Sequence, residues 1–208
     1  MIRPTLSIEE SLWQKGYQFV VGIDEVGRGS WAGPLVAAGV ILPCDFVIPD
    51  GLADSKMIKH RQRVMLSGHI KEKAIAISIS EMSPREIDKI GIAKGTFNAF
   101  RAVIKKLNPT PDFCLIDAFH IKYFSRDKQM AVKSGDKICA SIAAASIIAK
   151  VHRDKIMRCL HFKYPNYGFG KHKGYGTKFH QEAIKNFGLC QIHRTSYNLN
   201  FQKLSDNC

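Results

Sequence analysis

The chain has 208 residues, 45% of them hydrophobic, which is enough for a packed core and excludes a disordered or low-complexity polymer. It carries 31 Lys and Arg against 18 Asp and Glu, a formal net charge of +13, which calls for a polyanionic partner. No apolar run reaches the ~20 residues that span a bilayer, no signal-peptide pattern opens the chain, and the six cysteines form neither a C-x-x-C pair nor a zinc-finger spacing, so a reducing, cytoplasmic setting without membrane is expected.

In chain order, residues 7–14 suit a short helix. Residues 17–23 are rich in β-branched and aromatic side chains and predict a strand. Residues 35–42 predict a second apolar strand, expected to pair antiparallel with the first across a glycine-rich turn. Residues 57–73 place apolar side chains at helical intervals. Residues 74–82 carry Ile75, Ile77 and Ile79 in strict alternation, which marks a third strand. Ser83-Pro84-Arg85-Glu86 is a capping box with Pro at the first helical position, opening a helical region to about residue 107 that breaks near Gly91. Residues 113–116 predict a short buried strand that delivers Asp117 at its end, and residues 129–133 predict another. One long helix is expected from about residue 138 to 162, buried along residues 140–149. The order of elements predicts an α/β mixed sheet. Cys114, Cys139 and Cys159 sit among apolar neighbours and read as core thiols. Basic charge is weighted toward residues 150–208.

The most informative segment is Val20 to Pro34, where an apolar run carries Asp24 and Glu25 into a glycine-rich turn around Arg28. Adjacent carboxylates at a buried strand end repel and lack solvent, so they call for a compensating cation. Asp117 ends another apolar run, and Asp136 precedes the buried helix. Sites in α/β sheets form where strand ends meet. Oxygen donors without His or Cys suit Mg²⁺ or Mn²⁺ better than zinc. Asp136 equally suits a helix cap, and Asp117 a strand-end turn. Asp154 reads as an ion-pair residue and Ser146 as a close-packing one. His120, His152 and His172 lack a nucleophile at recognisable spacing.

Gly22-Ile23-Asp24-Glu25-Val26-Gly27-Arg28-Gly29 and Ala32-Gly33-Pro34 resemble the signature of ribonuclease HII, the type 2 ribonuclease H family. Asp54-Ser55-Lys56, Ile116-Asp117, Gly135-Asp136, the run from Ala143 to Asp154, Tyr167-Gly168-Phe169 and His172-Lys173-Gly174-Tyr175-Gly176-Thr177 continue the match in order. It covers roughly residues 17–197. The resemblance implies a ribonuclease H-like mixed sheet flanked by helices, with a C-terminal helical extension. It implies one domain over residues 1–208, with a core at 17–162 and a basic extension at 163–208 that contributes to substrate binding.

The resemblance also implies metal-dependent cleavage of RNA in RNA–DNA hybrids and cutting 5′ of a lone ribonucleotide in duplex DNA, leaving 5′-phosphomonoesters. It makes Asp24, Glu25, Asp117 and Asp136 the metal-binding carboxylates, with Mn²⁺ or Mg²⁺ as cofactor. Gly27, Arg28 and Gly29 fall on the element that senses the ribose 2′-hydroxyl, Tyr175 on the tyrosine that packs against the junction sugar, and Lys56 on a basic residue near the backbone. Two metal ions ~3.5–4 Å apart serve both the attacking water and the leaving oxygen. Asp24 is the expected bridge, Glu25 and Asp117 hold one ion, and Asp136 the other. Lys171 and Lys173 are further candidates for phosphate contacts. The chain is expected to act as a monomer. Two other readings are a noncatalytic nucleic-acid-binding module on this fold and a DNA-directed nuclease of the same superfamily.

Overall fold

A computed structural model of the chain describes residues 3–52, 58–122 and 124–199. Five strands form one sheet in the order β3-β2-β1-β4-β5. The strands are β1 (Val20–Val26), β2 (Leu35–Ile41), β3 (Ala76–Met82), β4 (Phe113–Asp117) and β5 (Gln129–Val132). β1 pairs antiparallel with β2, and β2 with β3, while β4 runs parallel to both β1 and β5. β2 is buried at every position, which its unbroken apolar sequence requires of an inner strand covered on both sides. β3 lies at an edge and alternates its exposure.

Helices cover both faces. α3 (Pro84–Ile90) and α4 (Ile92–Lys106) place Ile87, Phe100 and Val103 in one core cluster with Val21 and Ile23 of β1 and Leu35 and Ala37 of β2, α4 lying chiefly over β2 and β3. The Ser83–Glu86 capping box is present, and Gly91 separates the two helices as expected. The other face carries α1 (Ser7–Gln14), α2 (His60–Lys73) and the long α6 (Ala140–Lys163). The small residues of α6 allow a close approach to β1. A side-chain carbon on Gly22 would stand only 2.2 Å from the Ser141 carbonyl carbon.

Several boundaries differ from the sequence expectation. β1 starts at Val20 and runs on through Val26, so Asp24 and Glu25 lie within the strand. α2 starts at His60 and β3 at Ala76. The long helix expected over about 138–162 is α6, which starts at Ala140, and a short helix not expected from the sequence, α5 (Gly135–Ile138), precedes it, with Cys139 extended between them. The cause is distant in sequence. The Thr5 N–H donates to the Ile138 carbonyl at 2.9 Å, and the Ala140 N–H donates to the Thr5 carbonyl at 2.9 Å. The Glu9 carboxylate accepts from the Ser141 N–H at 2.8 Å, satisfying a donor of the first turn of α6. Cys114 and Cys139 are buried thiols, but Cys159 is exposed on the outer side of α6, contrary to the core reading.

After α6 the chain forms α7 (Phe169–His172) and α8 (Lys178–Phe187). Tyr167, Phe169, Ala183 and Ile184 pack with Ala32 and Met157, which fastens this region to the segment after the glycine-rich turn. No described helix is long and apolar enough to cross a membrane.

Candidate functional site

The parallel pairing of β1 and β4 places the first two acids. Ile23 stands opposite Ile116, so Asp24 and Asp117 follow side by side at the same end of the sheet. β5 delivers the third. Asp117 pairs with Val132 in the ladder, the chain turns through Ser134 at φ 55°, and the Gly135 N–H donates to the Asp117 carboxylate at 2.7 Å. That bond ties Asp117 to the start of α5, where Asp136 sits buried in the first turn. Asp136 is therefore not the cap of the long helix.

Asp24, Glu25, Asp117 and Asp136 line one cavity of about 390 Å³, together with Val26, Ser146, Lys150 and Tyr175. Asp24 is 7% exposed. One of its oxygens accepts from the Glu25 N–H at 2.7 Å, and its carboxyl also accepts from the Ser146 hydroxyl. Burial, then the Glu25 charge, then the Asp117 charge push the Asp24 carboxyl well above the usual carboxylate range, and the two hydrogen bonds pull the other way. Four carboxylates from three chain segments in one cleft make a hard-oxygen donor set. They line the cleft without closing into a three-residue cage among the described residues.

Ser146 and Lys150 line the cavity and Asp154 holds Lys150 there, none of them a site residue in the sequence expectation. They recur every four positions and so share one face of α6. A polar stripe within an alanine-rich run is the signal that marks them. Lys150 donates to Asp154 at 2.7 Å, and Asp154 also pairs with Arg63 at 3.3 Å. Asp154 is thus a buried ion-pair residue, which fixes Lys150 at the cavity wall. Ser146 does more than pack closely, because it hydrogen-bonds Asp24.

The glycine-rich turn is held from below by two fully buried arginines. Arg153 of α6 donates to the Pro34 carbonyl at 2.8 Å, the Lys173 carbonyl at 2.9 Å, the Ser30 hydroxyl at 2.7 Å and the Ala32 carbonyl at 3.1 Å. Arg194 donates to the Gly33 carbonyl at 2.9 Å and to the Arg28 carbonyl at 2.9 Å, and the Tyr197 hydroxyl donates to the same Arg28 oxygen at 2.5 Å. The guanidinium forks thereby spend most of their donors on backbone oxygens and the rest on the Ser30 and Tyr197 hydroxyls. The Arg28 side chain lies over Phe119, 4.6 Å from the ring centre. Gly29 is exposed.

Tyr175 reaches the same cleft. Its loop joins the turn through the Trp31 N–H, which donates to the Gly174 carbonyl at 2.8 Å, and Arg153 lies 5.6 Å from the Tyr175 ring centre. Lys171 is exposed, but the Lys173 ammonium folds back onto the Gly170 carbonyl and is engaged there. Asp54, Ser55 and Lys56 lie outside the described residues. His152 pairs with Glu81 at 2.7 Å, and His172 sits in an aromatic cluster, away from the acids.

The family model described as Ribonuclease HII matches residues 21–200. A ribonuclease HII from Acetivibrio thermocellus is 48% identical over 193 residues, 93% of this chain and 75% of that protein. One from Chloroherpeton thalassium is 47% identical over 93% of this chain and 96% of its own. The crystal structure of the ribonuclease H2 from Pyrococcus horikoshii OT3 superposes with a TM-score of 0.73 at 26% identity, covering 86% of this chain and 93% of that one.

Proposed function

Because the chain belongs to the ribonuclease HII family, we propose that it hydrolyses the RNA strand of RNA–DNA hybrids and cuts 5′ of single ribonucleotides embedded in duplex DNA. Membership makes it a divalent-metal-dependent endoribonuclease H, a hydrolase acting on nucleic acid. The observation that supports the finer reading is the joining of two features in one cleft. Four carboxylates and Tyr175 line it, and the glycine turn follows directly in the chain from Val26 on its wall.

Asp24, Glu25, Asp117 and Asp136 would hold the cation or cations, Mg²⁺ or Mn²⁺, because carboxylate oxygens match hard ions. Held by these carboxylates, such ions would supply an activated water and charge stabilisation for the leaving oxygen. The rest falls to the chain itself. Ser146 and the Glu25 N–H orient the Asp24 carboxylate. Lys150, held by Asp154, brings a positive charge to the wall where a phosphate approaches. The 2′-hydroxyl both donates and accepts, and so distinguishes RNA from DNA. Gly27, Arg28 and Gly29 would read it, because nothing lies within 4 Å of where a side-chain carbon on Gly29 would stand. Tyr175 offers a flat ring for the sugar at the junction.

The basic stretch 163–208 would carry duplex backbone on its lysines. One chain is the working unit in this reading, since all four acids, the turn and Tyr175 come from the same chain. The five described cysteines are free thiols, which suits a reducing cytoplasm.

The test is a cleavage assay on three duplexes: all-DNA, DNA with one ribonucleotide, and a long hybrid. Each is run with Mg²⁺, Mn²⁺ or chelator. Cutting 5′ of the lone ribonucleotide and within the hybrid, none of all-DNA and none in chelator is expected. Equal cutting of all-DNA would favour a DNA-directed nuclease. Chelator-insensitive binding without cutting would favour a binding module.

Acid should weaken the cation. Asp24 has a raised pKa, so it holds a proton to higher pH than an ordinary carboxylate, and a cation must displace that proton. Calorimetric titration of Mn²⁺ should therefore show affinity falling as pH is lowered, by up to about tenfold per unit once below the Asp24 pKa. A flat profile between pH 8 and roughly pH 4 would contradict the role of Asp24 as a ligand.

A further inference from the structure

Three imidazoles cluster beneath the Tyr175 loop, apart from the acids. His180 on α8 and His193 after it are buried, and His172 stacks on His180 with ring centres 4.5 Å apart. Phe169 meets His180 edge to face at 5.4 Å, and Trp31 lies 5.7 Å away. Apolar side chains would fill such a space at less cost, because a buried polar group must find partners. These imidazoles find directional ones. The His180 Nδ1 lies 3.0 Å from the Tyr175 carbonyl oxygen, the His180 Nε2 lies 3.0 Å from the His193 Nε2, and the Cys190 N–H donates to the His193 Nδ1 at 2.9 Å.

One pair of neutral tautomers, assigned from these partners, satisfies the whole series. His180 must be protonated at Nδ1 to donate to the Tyr175 carbonyl. Its Nε2 then accepts. His193 must therefore be protonated at Nε2, leaving its Nδ1 to accept from Cys190. The series runs on through the chain. His193 forms a bridge with Ala32, the Gly33 N–H donates to the Ile192 carbonyl at 2.9 Å, and the next residue, Arg194, donates to the Arg28 carbonyl.

We propose that the His180–His193 pair is a positioning device: it locks the carbonyl of Tyr175 to the segment that carries Arg194, and so sets the spacing between the Tyr175 ring and the Gly27–Gly29 turn on which selectivity for a lone ribonucleotide depends. This rests on the reading of Tyr175 and the turn as the ribose sensor. A long hybrid presents a ribose at every position, so it tolerates a small misplacement of either part. A lone ribonucleotide offers one register only.

Asparagine and glutamine separate positioning from packing. An Asn amide stands near the place of Nδ1, whereas a Gln amide stands near the place of Nε2. His180→Asn keeps the donor to Tyr175 and loses the link to His193, whereas His180→Gln keeps that link and loses the donor. The full chain is assayed in Mn²⁺, and melting temperature is recorded for each variant. His180→Gln should lower kcat/KM on the lone-ribonucleotide duplex about tenfold, the scale of one lost hydrogen bond, with the long hybrid changed less than about threefold. His180→Asn keeps that donor but gives up the link to His193, so it too should lower kcat/KM on the lone-ribonucleotide duplex, by about threefold to tenfold, with the long hybrid changed less than about threefold. Equal losses for both variants on both substrates, tracking the melting temperature, would overturn the proposal.

Tyr175→Ala distinguishes the two levels. If it leaves lone-ribonucleotide selectivity intact, the reading of Tyr175 fails and the positioning role fails with it. If it removes selectivity while His180→Gln keeps it, the positioning role alone fails. Should the His180 variants not fold, ¹⁵N spectra of the unaltered protein decide. The proposal requires a proton on His180 Nδ1 and on His193 Nε2, and the opposite tautomers refute it.

Discussion

Asp24→Asn is expected to cut RNA–DNA hybrids at least about 1,000-fold more slowly than the parent, a barrier increase of roughly 4 kcal/mol. Binding of the hybrid should remain within about threefold, since most affinity comes from sequence-independent phosphate contacts. The substitution is nearly isosteric, so the hydrogen bond from the Glu25 N–H at 2.7 Å survives on the amide oxygen and Ser146 keeps an amide partner. What it removes is a negative charge at the centre of the acid set. That charge is poorly solvated and repelled by Glu25 and Asp117, so the free protein should melt no lower, and in chelator somewhat higher. Activity lost only in proportion to binding, or a variant that still cuts at the parent rate, would contradict the role of Asp24.

The second large effect lies in the turn, where two glycines should behave oppositely. Gly27 sits at φ 86°, and a side-chain carbon there would stand 2.1 Å from the Arg153 Nε. Arg153 cannot step aside cheaply, because four bonds to Pro34, Lys173, Ser30 and Ala32 hold it. Gly27→Ala thus combines left-handed strain of about 1–2 kcal/mol with overpacking of about 1–3 kcal/mol. It should lower the melting temperature by about 10 °C. Gly29 has open space around it and needs no positive φ. Gly29→Ala should stay within about 0.5 kcal/mol of the parent stability. Its loss appears only with substrate. On the proposed reading of the turn the added methyl group would stand where the sugar approaches, and lone-ribonucleotide cutting should fall about tenfold or more, the scale of one lost hydrogen bond. A stable Gly27→Ala, or a Gly29→Ala with unchanged cutting, would contradict this assignment of the turn.

The parts of the fold that were readable in the chain are those whose cause is local. Apolar and β-branched runs mark β1, β2 and β4, alternation marks β3, Ser83 and Glu86 mark a capping box, and Asp24 and Asp117 stand out as acids among apolar neighbours. Parallel pairing then sets those two side by side through the match of Ile23 with Ile116. The long-range parts were not readable. Nothing near Cys139 announces the short α5 or the exact start of α6, because Thr5 pairs there from the other end of the chain. Arg153 and Arg194 look like ordinary surface cations in a basic region. Their burial follows from a surplus of backbone carbonyls around the glycine turn, which only the folded chain assembles. Cys159 reads as apolar because of Leu160 and Met157, yet its position on α6 turns it outward. Ser146 belongs to a stripe whose meaning depends on which helix face meets β1.

Anomalous diffraction from crystals of the protein soaked in Mn²⁺ bears most directly on the shared role of the four acids. The account predicts Mn²⁺ peaks in the cleft, within coordination distance of Asp24 and of at least one of Glu25, Asp117 and Asp136, that vanish in Asp24→Asn crystals. Peaks confined to other residues, or a cleft without Mn²⁺ at concentrations that support cleavage, would contradict it.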